Sequence, residues 1–73
     1  KMTLMVSILK DNQWDCPQGE SEVYFDTLEK ARTKGIELLH RFNSEVFRVN
    51  RLTTGKGHYR TIGFFNKNNE YLR

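Results

Sequence analysis

The sequence predicts an α+β domain in which one helix packs on one face of a small, mostly antiparallel sheet of three to five strands. Three observations support this prediction. Apolar residues alternate with polar ones near the start of the chain, they recur every three or four residues in its middle, and glycines separate two β-rich runs in its C-terminal half. The length of 73 residues fits a single domain over residues 1–73.

The first predicted strand lies near the start of the chain. Leu4, Val6 and Ile8 occupy every second position and would form its buried face, because side chains of a strand point alternately to its two sides. The sequence Asp-Asn-Gln at positions 11–13 is a turn signal that would end this strand.

The next stretch is predicted to be irregular. Residues 14–20 contain Pro17 and Gly19, which interrupt regular strand pairing. We therefore expect an irregular return of the chain here, followed by a short strand over residues 22–25 that leads into a helix.

The helix is predicted from its N-terminal signal and its apolar periodicity. Asp26 and Glu29 fit a capping box, in which Asp26 accepts a hydrogen bond from a first-turn amide and Glu29 reaches back. Gly35 costs roughly 1 kcal/mol relative to alanine in mid-helix, so we expect it to permit a close approach to the sheet. The apolar stripe of the helix is Leu28, Ala31, Gly35, Leu38, Leu39 and Phe42.

Two strands are predicted after the helix, over residues 45–53 and 58–66, joined by the glycine-containing loop 54–57. If Thr53 pairs with His58, one face carries Phe47, Val49, Ile62 and Phe64, with Arg51, Arg60 and His58 nearer the tip. The opposite face then carries Val46, Arg48, Asn50, Leu52, Tyr59, Thr61, Gly63 and Phe65. A loop of odd length would shift the faces, and this alternative stays open. A turn over residues 66–69 would lead to a final short strand over 70–72.

Charge is distributed unevenly along the chain. The net charge is +3, but residues 1–29 carry −4 and residues 30–73 carry +7, and there is no acidic residue between Glu45 and Glu70. Such asymmetry indicates an anionic partner. The alternative is internal, with the acidic part of the chain facing the basic part.

The residues that most often carry chemistry do not form a recognisable constellation, so we expect no enzymatic activity, metal or cofactor. Cys16 is the only cysteine, and it precedes a proline in an acidic stretch that would not stabilise a thiolate. His40 and His58 are predicted at a helix end and a hairpin tip, and their spacing from Cys16 matches no set of metal ligands. We interpret Cys16 as a small apolar filler beside Trp14.

The basic hairpin is the candidate binding site. Its cations would contact phosphates or carboxylates, and Tyr59 and Phe65 would offer rings on which bases can stack. The predicted binding residues are Arg48, Arg51, Lys56, His58, Tyr59, Arg60 and Lys67.

The strand–helix–strand pattern over residues 20–52 resembles small phage-encoded inhibitors, such as those that block host RNA polymerase and several anti-CRISPR proteins. The similar parts are Glu22–Phe25 running into Asp26–Ala31, and Glu45–Val49 after the helix. The resemblance implies a protein without a catalytic centre that works by occupying the surface of another macromolecule.

We therefore expect a non-enzymatic binding protein that inhibits or regulates a protein target through its basic hairpin. The target would present an acidic or nucleic-acid-binding surface; the alternative is direct binding of DNA or RNA through the same residues. The single cysteine and the lack of a long apolar run favour the cytoplasm, which would be that of the host for a phage protein, and no membrane partner.

Overall fold

The computed structural model describes residues 2–17, 23–53 and 58–73. Within them, one helix packs against a four-stranded antiparallel sheet with the order β2-β1-β3-β4, which confirms the predicted α+β class. The elements are β1 (Leu4–Lys10), β2 (Gln13–Asp15), α1 (Leu28–Phe42), β3 (Val46–Leu52) and β4 (Tyr59–Asn66). No helix in these ranges is long and apolar enough to cross a membrane.

A two-residue turn joins β1 to β2. Asp11 and Asn12 both have positive φ, at 52° and 63°, as the tight hairpin turn that suits twisted strands requires. The turn places Trp14 directly opposite Leu9. The prediction of irregular chain from residue 14 onward is therefore wrong for Trp14 and Asp15, which continue the hairpin as a regular strand.

The predicted short strand before the helix is reduced to one bridge. Phe25 exchanges two backbone hydrogen bonds with Leu4, of 2.9 and 2.8 Å, and so extends the same edge of β1 that β2 occupies. Val23 and Tyr24 lie outside any strand, and residue 22 lies outside the described residues.

The helix begins one residue later than the capping-box prediction placed it. Thr27, in an extended conformation, is the N-cap, and its hydroxyl accepts a hydrogen bond of 3.2 Å from the Lys30 amide. Asp26 therefore precedes the cap, and its carboxylate pairs with the Lys30 ammonium at 3.1 Å. At the other end, Asn43 closes the helix in the left-handed conformation, with φ of 54°.

The core lies between α1 and one face of the sheet. Gly35 sits directly over Phe47, and a Cβ atom added at Gly35 would overlap the Phe47 ring. The close approach predicted for this glycine is thus confirmed. The predicted stripe also faces the core, with Leu28 and Phe42 partly buried at its ends. The fully or nearly fully buried apolar residues are Leu4, Val6, Ile8, Ala31, Leu38, Leu39, Phe47, Val49 and Phe65.

A β-bulge in β4 changes the faces predicted for the second hairpin. Thr53 and His58 pair through a backbone hydrogen bond of 3.0 Å, which is the first of the two alternatives for this hairpin. Thr61 then lies opposite Asn50, and Gly63 lies opposite Val49, the residue before Asn50 in β3. Ile62 is therefore an extra residue in β4.

The bulge reverses the sides of the residues that follow it. Phe65 pairs with Phe47 in the core, with ring centroids 5.2 Å apart, and Phe64 pairs with Arg48 on the opposite face. The assignment of Phe64 and Ile62 to the core face is therefore wrong, as is that of Gly63 and Phe65 to the other.

The C-terminal residues return along the outer edge of β4. A single bridge joins Tyr71 to Phe65, where a short strand over 70–72 was predicted. Arg32 of the helix fixes the preceding turn, because its guanidinium donates to the Asn69 side chain and carbonyl at 2.7 and 2.5 Å. The same guanidinium lies 4.3 Å from the Phe65 ring centroid.

Gly35→Ala should lower the free energy of unfolding, because the new methyl group enters the space of the Phe47 ring. Replacing an exposed helical glycine by alanine would instead raise it by about 1 kcal/mol. Urea denaturation measures the sign. Thr33→Ala, at an exposed position of the same helix, is the control that should not destabilise, and a stabilised Gly35→Ala variant would contradict the close packing.

Phe65→Ala should destabilise the protein by about 3–5 kcal/mol, as loss of a buried phenylalanine does, since Phe65 is only 2% exposed. Phe64→Ala should cost less, because Phe64 is only partly buried. Thermal or denaturant unfolding of this matched pair tests the bulge. The reverse order of stability would mean that β4 follows the regular register.

Candidate binding surface

The distal half of the β3–β4 hairpin carries an uncompensated pair of arginines. Arg51 and Arg60 are directly opposite each other and both are exposed. Neither has an ion-pair partner in the described part of the chain. His58 is also exposed and lies beside them at the end of the paired strands. We call Arg51, His58 and Arg60 the basic arm.

The other predicted binding residues are distributed differently. Lys67 lies at the opposite end of the hairpin, where its ammonium is 3.4 Å from the Glu45 carboxylate. Lys56 falls in residues 54–57, outside the described residues. Arg48 and Tyr59 lie on the sheet face that α1 leaves uncovered, as their pairing partners Ser7 and Leu52 show. The seven predicted residues therefore do not form one cluster.

Arg48 is held among aromatic rings on this uncovered face. Its guanidinium carbon lies 4.6 Å from the Trp14 ring centroid and 6.0 Å from that of Tyr59. Its Nε atom is buried and has no hydrogen-bond partner among the described residues. An unsatisfied buried donor costs about 1–3 kcal/mol, and cation–π attraction of about 0.5–2 kcal/mol offsets part of that cost.

The uncovered face also includes three residues that the sequence analysis did not select, namely Trp14, Phe64 and Arg73. The rings of Trp14 and Phe64 are 5.5 Å apart at an angle of 51°. The Arg73 guanidinium carbon lies 4.9 Å from the Phe64 centroid. Guanidinium groups thus lie over both rings. The aromatic face, as we define it, consists of Trp14, Arg48, Tyr59, Phe64 and Arg73.

No acidic residue occupies a strand position on this side of the described sheet. Residues paired across antiparallel strands share a face, so the register identifies every position on the uncovered side. These positions are Met5, Ser7, Leu9, Trp14, Val46, Arg48, Asn50, Leu52, Tyr59, Thr61, Phe64 and Asn66.

The helix shows the opposite arrangement of charge. Glu37 pairs with both Lys34 and Arg41, and Lys30 pairs with Asp26. Three of the cations of α1 are therefore compensated by neighbouring carboxylates, whereas the arginines of the aromatic face and of the basic arm, which points to the α1 side of the sheet, have no such partner among the described residues.

The cysteine and the two histidines lie apart in different environments. The Cys16 thiol donates to the Val6 carbonyl oxygen at 3.0 Å and lies 3.7 Å from the Ser7 hydroxyl. His40 and His58 are both exposed. Among residues 2–17, 23–53 and 58–73, no three histidine, cysteine, aspartate or glutamate side chains come together as metal ligands.

The two-residue turn in the sequence could have predicted that Trp14 lies on the uncovered face, but no sequence pattern predicted this position for Phe64. Recognising Asp11 and Asn12 as a two-residue turn puts Trp14 opposite Leu9, on the side away from Ile8. The position of Phe64 depends on the bulge at Ile62, and that of Arg73 depends on the return of the chain along β4.

Comparisons with protein-family models, with curated proteins and with solved structures find no match to this chain.

Arg51→Gln should raise the free energy of unfolding by a few tenths of a kcal/mol to about 1 kcal/mol at low salt, because like charges directly opposite in a sheet repel. Added salt should remove most of the gain by screening. Denaturant unfolding at two salt concentrations measures both effects. Lys67→Gln, which loses its Glu45 partner, should show no gain; equal gains would point to net charge alone.

Proposed function

We propose that this is a non-enzymatic binding protein that inhibits or regulates a macromolecule by occupying an anionic part of its surface. The observation that carries the proposal is the pairing of Arg51 with Arg60, exposed and without a described counter-charge. Repulsion between directly opposed like charges costs the folded protein up to about 1 kcal/mol. An anionic partner relieves that repulsion on binding.

The shape of the hairpin supports this role. The backbone hydrogen bond between Thr53 and His58 keeps the strands paired beyond the two arginines. The backbone that carries the two arginines is therefore already ordered as a pair of hydrogen-bonded strands. This order lowers the conformational entropy that is lost when a partner binds. Electrostatic steering by such a patch also raises the rate of association.

The first candidate for the anionic partner is a protein with an acidic surface. The second candidate is direct binding of nucleic acid. The sequence favours a protein because the acidic N-terminal part would repel a polyanion. In the fold, Asp15 is on the side of Ile8, and no strand position on the opposite side, that of the aromatic face, is acidic among the described residues. The aromatic face therefore favours the nucleic-acid candidate.

The double reversal Arg51→Glu and Arg60→Glu should weaken binding at least tenfold while leaving the thermal unfolding midpoint close to that of the parent. The partner is first isolated by affinity capture with and without nuclease, and its affinity is then measured for each variant. Lys30→Glu with Lys34→Glu is the control, because it changes the net charge equally on the surface of α1, outside the basic arm.

Equal weakening by the two double variants would mean that only net charge matters. Unchanged affinity in the Arg51→Glu and Arg60→Glu variant would mean that the basic arm is an ordinary solvated edge. Either result contradicts the proposed function.

A further inference from the structure

We propose that the aromatic face binds single-stranded nucleic acid, with bases stacked on its rings and phosphates contacted by its arginines, while the basic arm adds positive charge at the distal end of the same hairpin. The inference rests on the proposed function, in that it names the anionic partner, and it adds Trp14, Phe64 and Arg73 to the binding surface.

The rings are placed where bases can reach them. Tyr59 is 50% exposed, and Trp14 and Phe64 are partly exposed on the side of the sheet that α1 does not cover. The described side chains thus offer rings from β2 and from two positions of β4. Stacking of a base on such a ring is worth about 1–3 kcal/mol and tolerates any base, since every base has a π-face.

The charge of the surface suits a polyanion and not an apolar partner. Arg48 and Arg73 are the charged side chains of the aromatic face, and no strand position on that side is acidic among the described residues. The Glu70 carboxylate lies at the end of β4, where it accepts a hydrogen bond of 2.8 Å from the Asn66 side chain. The basic arm adds positive charge at the distal end of the same hairpin, where its arginines point to the α1 side of the sheet, because Arg51 pairs with Leu4 of the core face as well as with Arg60. A guanidinium that lies over a ring also has donors at its edge that suit a phosphate, so Arg48 and Arg73 can keep their ring contacts while they bind the backbone.

The shape of the surface favours single strands over duplexes. Four strands spaced about 4.8 Å apart span roughly 14 Å before their side chains are added, which exceeds the roughly 12 Å width of the major groove. Bases inside a duplex are also stacked on one another and cannot reach aromatic rings of a sheet. The aromatic face therefore matches unpaired bases.

The test uses Trp14, the only tryptophan, as its reporter. Labelled 12-nucleotide oligo(U) and oligo(dT), a 12-base-pair duplex and a polyglutamate peptide are titrated against the protein, with anisotropy and tryptophan fluorescence recorded. We expect the single strands to bind more tightly than the duplex and to quench Trp14.

Matched tyrosine variants test the stacking directly. Tyr59→Leu should weaken single-strand binding by about 5- to 150-fold, the equivalent of one stacked base. Tyr71→Leu is the control, because Tyr71 is exposed but packs against Phe65 on the helix side of the sheet. Arg73→Gln should also reduce the slope of log affinity against log salt by about 0.7. Thermal unfolding verifies that each variant is folded.

Each other outcome overturns the inference. Suppose that the protein binds polyglutamate or a captured protein, that the Arg51→Glu and Arg60→Glu variant loses this binding, and that single strands do not bind. This result would overturn the inference and leave the proposed function intact. Duplex binding as tight as single-strand binding, or equal losses in Tyr59→Leu and Tyr71→Leu, would exclude stacking on the aromatic face. Failure of every probe and of partner capture would overturn both proposals.

Discussion

The extra residue in β4 determines the two sides of this sheet. Because Ile62 has no partner of its own, Thr61 and Gly63 lie opposite consecutive residues of β3, and the side of every later residue is reversed. Phe65 consequently enters the core and Phe64 joins Trp14 on the uncovered face. Without this bulge, the same two phenylalanines would exchange sides, with Phe64 in the core and Phe65 on the uncovered face.

The helix covers the other side of the sheet through an unusually close contact. Gly35 brings the backbone of α1 onto the Phe47 ring, at the centre of the buried cluster. One helix can cover only one face of a sheet, so the opposite face of the described strands carries no helix. In most antiparallel sheets of this kind the uncovered face is polar. Here it holds aromatic rings and arginines, a composition that is common in surfaces that bind other macromolecules.

The candidate surface was predictable in part. The charge pattern identified Arg51, His58 and Arg60, because a basic run without acids is visible in the linear sequence. It also selected Lys67, whose carboxylate partner Glu45 is far away along the chain and adjacent only in the fold. Trp14, Phe64 and Arg73 come from three separate parts of the chain, and only strand pairing brings them to one face.

The sequence by itself determined the α+β class, the apolar stripe of α1 and the reason for Gly35. Each of these follows from local spacing or from the identity of one residue. The tertiary structure decided the N-cap, where Thr27 is used in place of Asp26, and the side on which each phenylalanine of β4 lies. Adjacent Phe64 and Phe65 are equally suited to a core by hydrophobicity, and a one-residue shift in register costs nothing locally. The choice between them depends on which ring fits against Phe47 and under Arg32, which are contacts between elements distant in sequence.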